Sequence, residues 1–225
     1  MLLNILINNN IIKFDSNQFT IILRKIFQMI KFKVVIAGEK NVGKTSLLRR
    51  YATGKFDKST LSTIGVDFET KKVNVGDDVD ILLNLWDFGG EKKFRILFPS
   101  YVSGASGALL LYDITNKDSL IDLHDWIKII NNVQNPPRTK ILIENKIDLE
   151  DQREVAKDDA LEIFKQYKFE GEIIGTSAKT GENVEKAFQM LGEEILKNSL
   201  IRCPNCGKHY PIELKFCQYC GTKRY

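Results

Sequence analysis

The sequence predicts an α/β fold: a six-stranded, mostly parallel sheet in three layers. From Phe32 to about Asn198, short β-branched apolar runs alternate with stretches of helical period. One pair of runs is joined only by Gly76-Asp77-Asp78, a turn too short for a crossover, so that pair is antiparallel and the sheet mixed. All four cysteines fall after residue 200, which sets a small module apart from the main domain.

The strands are read at 32–37, 66–75, 79–86, 107–113, 139–145 and 172–176, where apolar β-branched residues cluster. Helices are read near 44–53, 92–102, 118–133, 154–168 and 183–197. The chain divides into an N-terminal extension (1–30), a main domain (31–198) and a terminal module (199–225). In the extension, Phe19, Ile22, Leu23, Ile26, Phe27 and Ile30 recur at helical spacing around Arg24, Lys25 and Gln28. Three readings stay open there: an amphipathic membrane or partner helix, disorder, or a start-site artefact with Met29 as the true start. Leu2 excludes N-myristoylation from this start, which needs glycine at that position.

With 225 residues, 43% hydrophobic and 28% charged, the composition is that of a globular protein. A net charge of +4 is too small to argue for nucleic acid or an acidic membrane. No apolar run approaches the roughly 20 residues that span a bilayer. With no cysteine in the first two hundred residues, the expected compartment is reducing and cytoplasmic.

Gly38-Glu39-Lys40-Asn41-Val42-Gly43-Lys44-Thr45 matches G-x-x-x-x-G-K-[ST] directly after a strand and at the start of a helix. Backbone N–H groups of Asn41, Val42 and Gly43 and of the helix start through Ser46 can cradle phosphate oxygens. Lys44 can reach the β and γ phosphates, and Thr45 can ligate Mg²⁺. Asp87, in Trp86-Asp87-Phe88-Gly89-Gly90, stands at a strand end where it can hold the Mg²⁺ shell, and Gly90 can offer its N–H to a γ-phosphate. Asn145-Lys146-Ile147-Asp148 is the base-reading signal. The Asp148 carboxylate can accept from guanine N1–H and N2–H₂, a donor pair that adenine lacks. In Thr176-Ser177-Ala178-Lys179, a backbone N–H can reach guanine O6 while Lys179 packs nearby.

These motifs, with Ser62-Thr63-Ile64-Gly65-Val66-Asp67-Phe68 and Tyr112-Asp113-Ile114-Thr115, make the sequence resemble a Ras-superfamily small GTPase, most like the Rab branch, over residues 32–198. The resemblance implies the Ras-like form of the P-loop NTPase fold and a Mg²⁺-dependent switch that binds GTP and GDP. It implies that Thr63 ligates Mg²⁺ and contacts the γ-phosphate, and that Phe56 stacks on guanine. It also implies that loops near 55–65 and 87–100 order around GTP and relax with GDP, presenting protein effectors and exchange or activating factors with a changing surface.

Three residues depart from the family. Glu91 stands where relatives place a water-orienting Gln, so it is either a base with a raised pKa or a solvated side chain, and hydrolysis is expected to be slow or partner-dependent. Lys40 stands where relatives place a small residue; it either stabilises γ-phosphate charge in cis or points to solvent. Thr60 replaces a frequent Tyr.

Cys203-Pro204-Asn205-Cys206-Gly207-Lys208 and Cys217-Gln218-Tyr219-Cys220-Gly221-Thr222-Lys223 are near-copies, each a knuckle that supplies two thiolates to one tetrahedral Zn²⁺. They resemble a short zinc ribbon with a structural metal, here expected to dock a protein. The ending Cys220-Gly221-Thr222-Lys223-Arg224-Tyr225 is no prenylation box, so membrane association is expected only through the extension or a partner. Two other functions remain open: a non-hydrolysing GTP-dependent binding module, and an RNA- or ribosome-associated GTPase whose ribbon contacts nucleic acid.

Overall fold

The computed structural model describes residues 3–7, 10–14, 30–57, 63, 65–75, 79–90, 95–212 and 214–224. Its main body is one six-stranded sheet in the order β4-β5-β3-β6-β7-β8. The strands are β3 (Ile30–Ala37), β4 (Val66–Val75), β5 (Val79–Phe88), β6 (Gly107–Asp113), β7 (Thr139–Asn145) and β8 (Ile174–Thr176). β4 and β5 pair antiparallel and every other neighbour is parallel, as the short turn predicts. The turn residues 76–78 themselves lie outside the described residues.

Helices fill both faces because the central strands are apolar on both. In β3, Val34 and Ile36 face one layer while Val35 and Ala37 face the other, and all four are fully buried. α1 (Lys44–Thr53) and α6 (Val184–Ser199) cover the first face through Leu47, Leu48, Phe188, Leu191 and Ile195. The second face is covered by α2 (Phe98–Val102), α3 (Lys117–Ile121), α4 (Leu123–Asn131) and α5 (Lys157–Gln166). Phe98, Trp126, Ile127 and Ile163 are the main side chains of that layer.

Three elements depart from the sequence reading. The helix expected near 118–133 is two helices that meet at Asp122, where the Asp122 N–H bonds back to Asp118 O and its own carbonyl accepts from Trp126. Of the helix expected near 92–102, residues 92–94 lie outside the described set, 95–97 form a turn, and Phe98–Val102 are helical. A short 3-10 helix, Ile147–Gln152, follows the fifth predicted strand, where no helix is read from the sequence.

At the N-terminus, β1 (Leu3–Ile7) and β2 (Asn10–Phe14) form an antiparallel hairpin that was not among the sequence expectations. The amphipathic stretch from Phe19 and the alternative start Met29 lie outside the described residues, except Ile30, which begins β3 and pairs with Ile81 of β5. At the other end α6 runs without a spacer into β9 (Leu200–Arg202), which pairs with β10 (His209–Pro211). Among the described residues no helix is long and apolar enough to cross a membrane.

Candidate nucleotide and metal sites

A cavity of about 360 Å³ opens at the C-terminal ends of the parallel strands, within the range of small-ligand sites. Its wall is formed by Asn41 and Gly43 of the first loop, Lys44 to Ser46 at the start of the helix that follows, Phe56, Asp57 and Thr63 of the next loop, Phe88 at the end of β5 and Gly90 after it, and Asn145, Lys146, Asp148, Leu149, Ala178 and Lys179. Val42 and Ser177 are the two predicted nucleotide residues that stand behind the wall. Asp57, Phe88 and Leu149 join it with no motif role predicted for any of them, and Lys40 is also on it.

At one pole the loop after β3 curls through left-handed backbone at Asn41 and Gly43. α1 then begins with no side-chain cap and no acidic residue in its first turn, so its free N–H groups and positive dipole end face the cavity. Lys44 threads back beneath the loop, donating at 2.9 Å to Gly38 O and at 2.9 Å to Glu39 O. Burial pulls its ammonium down to a pKa of about 8 against the pull of Asp87 and Glu39. That charge is held ready for an anion.

Beside it three oxygens converge. The Thr45 hydroxyl donates to Asp87 Oδ2 at 2.5 Å and lies 2.5 Å from the Thr63 hydroxyl, which stands 3.3 Å from the same Oδ2. Asp87 is fully buried, and its Oδ1 has no hydrogen-bond partner among the described residues. Burial raises the Asp87 pKa, opposed first by the Thr45 hydroxyl. A hard divalent cation fits this oxygen set and would relieve the buried carboxylate.

At the other pole Asn145 donates from Nδ2 to Val42 O at 2.7 Å and accepts from the Thr176 hydroxyl at 3.0 Å. The Ser177 hydroxyl donates to Asp148 Oδ1 at 2.6 Å, and Lys179 stands 3.5 Å from Asp148 Oδ2. Lys146, in left-handed backbone, pairs with Asp113 at 2.5 Å. The predicted constellation is thus brought together from five loops.

Two further contacts join the phosphate-side loop to the segment after β5. A Cβ on Gly90 would stand 2.4 Å from Lys40 N, so only a glycine lets the two backbones meet. Arg95 pairs with Glu39 at 2.5 Å and Asp125 at 3.1 Å, with its guanidinium over the Trp126 ring. Glu91, Thr60, Ser62 and Ile64 lie outside the described residues. Next to these loops Phe68, Trp86 and Tyr101 form an aromatic row, with Phe68, Ile96 and Leu97 exposed.

The terminal module is built on two equivalent knuckles. Cys203 N–H bonds Lys208 O while Gly207 N–H bonds Cys203 O; Cys217 and Gly221 repeat the scheme with Thr222. The four sulfurs lie within 4.8 Å of one another, with Cys203 to Cys220 at 3.5 Å and Cys206 to Cys217 at 3.6 Å. These spacings exclude disulfides and approach the ~3.8 Å edge of a tetrahedron of sulfurs 2.3 Å from one Zn²⁺. The N–H groups of Cys206 and Asn205 lower the Cys203 pKa, and Thr222 lowers that of Cys220 to about 6. The Lys208 N–H pulls Cys206 down, but burial and the crowding of the other thiols outweigh it and push Cys206 up to about 12. A cation among the four sulfurs resolves that conflict.

The family model described as "Ras family" matches residues 33–197. Ras-related protein Rab-13 of Canis lupus familiaris is 34% identical over 194 residues, 86% of this chain and 94% of that protein. Ras-related protein Rab-1 of Theileria annulata is 39% identical over 194 residues, 86% of each chain. Ras-related protein Rab-10 of Diplobatis ommata is 35% identical over 182 residues, 81% of this chain and 89% of that protein.

Proposed function

Because the chain belongs to the Ras family of GTP-binding switch proteins, and is Rab-like within it, we propose that it hydrolyses GTP to GDP in a Mg²⁺-dependent cycle read by protein partners. The convergence of Thr45, Thr63 and Asp87 beside Lys44 carries this reading.

Lys44, with the N–H groups at the start of α1, would bind the β and γ phosphates. Thr45, Thr63 and Asp87 would hold Mg²⁺, which supplies charge neutralisation on the phosphate oxygens. Asn145 keeps the base pole and phosphate loop in register, Asp148 selects guanine, Phe56 packs on its ring, and the loop carrying Ser177, Ala178 and Lys179 closes over the base. The reaction is in-line attack of water on the γ-phosphorus as its bond to the β,γ-bridging oxygen breaks. A carboxylate at Glu91 accepts but cannot donate to the phosphoryl oxygens as a Gln amide would, which supports slow intrinsic turnover.

The contact between Gly90 and the phosphate loop gives the segment after β5 a direct route to sense the γ-phosphate. The row from half-buried Tyr101 and Trp86 out to exposed Phe68 offers effectors and regulators an apolar surface beside both switch loops. Cys203, Cys206, Cys217 and Cys220 would hold one structural Zn²⁺ in a ribbon that docks a protein. We place the protein in the cytoplasm.

A single-turnover time course with GTP and Mg²⁺, on wild type and Glu91→Gln, tests the assignment. Conversion to GDP supports it, and a rate change in E91Q brings Glu91 into the step. Retention of GTP without conversion favours the rival reading of a non-hydrolysing or partner-dependent module. Failure to bind guanine nucleotide would sink both.

A further inference from the structure

We propose that Arg153 is a positioning residue for guanine selection: it ties the short helix that carries Asp148 back to the strand end before it, fixing where the Asp148 carboxylate stands. The proposal rests on the reading of Asp148 as the guanine acceptor.

Arg153 directly follows the helix Ile147–Gln152. Its Nε and Nη2 donate at 2.8 Å to Oε1 and at 2.8 Å to Oε2 of Glu150, a two-pronged bond. Its Nη1 donates at 3.1 Å to Oε2 of Glu144, the residue just before Asn145. The same Glu144 oxygen accepts from the buried Tyr112 hydroxyl at 3.0 Å.

The sheet makes room for this carboxylate. Tyr112, Glu144 and Gly175 sit side by side in register on β6, β7 and β8. A Cβ on Gly175 would stand 3.0 Å from Glu144 Oε1 and 3.0 Å from Ile147 Cγ2. Glycine there lets both the carboxylate and the residue preceding Asp148 pack against the strand.

The helix needs an outside brace. It is broken at Leu149, whose φ of −111° and ψ of 33° are not helical, so the turn bearing Asp148 is poorly held by the turn bearing Glu150. Arg153 spans that break, gripping Glu150 on one side and Glu144 on the other. An isolated exposed ion pair would contribute little. This one is bidentate at one end, the Arg153 and Glu144 side chains are only 14% and 17% exposed, and the fork has no lysine equivalent. On the far side Asp148 is held by Ser177, so its position is set from two directions.

The test compares release of GDP and of IDP, whose base lacks the 2-amino group, from wild type, Arg153→Ala and Arg153→Lys. Wild type should release IDP on the order of 10–100 times faster than GDP, for loss of one hydrogen bond to a charged acceptor. In both variants that ratio should fall at least about fivefold: GDP, with two hydrogen bonds to Asp148, should gain more in release rate than IDP, which has only the N1–H bond to lose. Equal acceleration of both nucleotides, as a general loss of stability would give, overturns the proposal. A wild-type ratio near one overturns the guanine reading and the proposal with it. Should R153A fail to fold, R153K and Glu150→Ala carry the same comparison, since Glu150 is largely exposed.

Discussion

The side-chain amide of Asn145 bonds the carbonyl of Val42 across 2.7 Å, joining the end of β7 to the crown of the phosphate-side loop. The two poles of the cavity are therefore one unit. Asn145→Ala strands the Val42 carbonyl and the Thr176 hydroxyl, and an unpaired buried group costs about 1–3 kcal/mol. Nucleotide release should quicken by roughly 5–150-fold, and the thermal midpoint should drop. Stopped-flow release of GDP and a melting curve measure both effects; an unchanged release rate would show that the poles are independent.

Lys44 should make the empty protein less stable than it need be. Its folded pKa of about 8 lies below its ordinary 10.5, so between those values the unfolded chain binds a proton that the folded one does not. Stability of the nucleotide-free protein therefore rises with pH across that window, and the penalty is fully present below it. Lys44→Met should raise the nucleotide-free folding stability at pH 7 by an amount of order 1–3 kcal/mol, and the melting point with it, while abolishing GDP binding. Melting curves at pH 7 and pH 10 read the sign, and a variant no more stable than wild type at pH 7 would contradict it.

Gly90→Ala should uncouple the second switch segment from the phosphate loop, because the new methyl group would collide with the Lys40 amide. Nucleotide affinity should change little. Trp86 lies in β5 just ahead of this segment and is partly exposed, whereas Trp126 is fully buried. The difference in tryptophan emission between the GDP and GTPγS forms should shrink in G90A; a full-sized difference would place the coupling elsewhere.

Removing the metal should unfold the ribbon and spare the nucleotide site. The module's own core is Cys203, Tyr210 and Cys217, too small to stand alone. We expect about one zinc per chain in reduced protein. Cys206→Ala should lose it while still binding GDP with wild-type affinity. Elemental analysis with a GDP titration decides this, and GDP affinity falling with zinc content would show that the ribbon braces the main domain.

The strands were legible because their apolar residues alternate or run unbroken, as in Gly107–Asp113, buried along its whole length. The third predicted strand extends to Phe88 because Asp87 and Phe88 still find partners in Asp67 and Val66. The joint at Asp122 was not legible, since no glycine or proline marks it. Instead Asn116 caps the first helix through the N–H groups of Asp118 and Ser119, which fixes where that short helix starts. Phosphate, base and zinc residues sit in fixed local spacings and could be read directly. Arg153, Arg95 and Gly175 act through partners on other strands and loops, which only folding brings near.

The absence of a spacer between Ser199 and Leu200 gives the ribbon a mechanical character. Its first strand continues a helix of 16 residues, about 24 Å long, whose opposite end at Val184 adjoins the base-closing loop. The Ile212 N–H bonds the Ser199 carbonyl and Arg224 bonds the Ile212 carbonyl, pinning the joint from the far side. A partner that bound the ribbon would be held at a set standoff and bearing from the nucleotide site, as on a bracket. Tethering of that kind raises the local concentration of one ligand for the other without any new contact, and its gain depends on the stiffness of this joint.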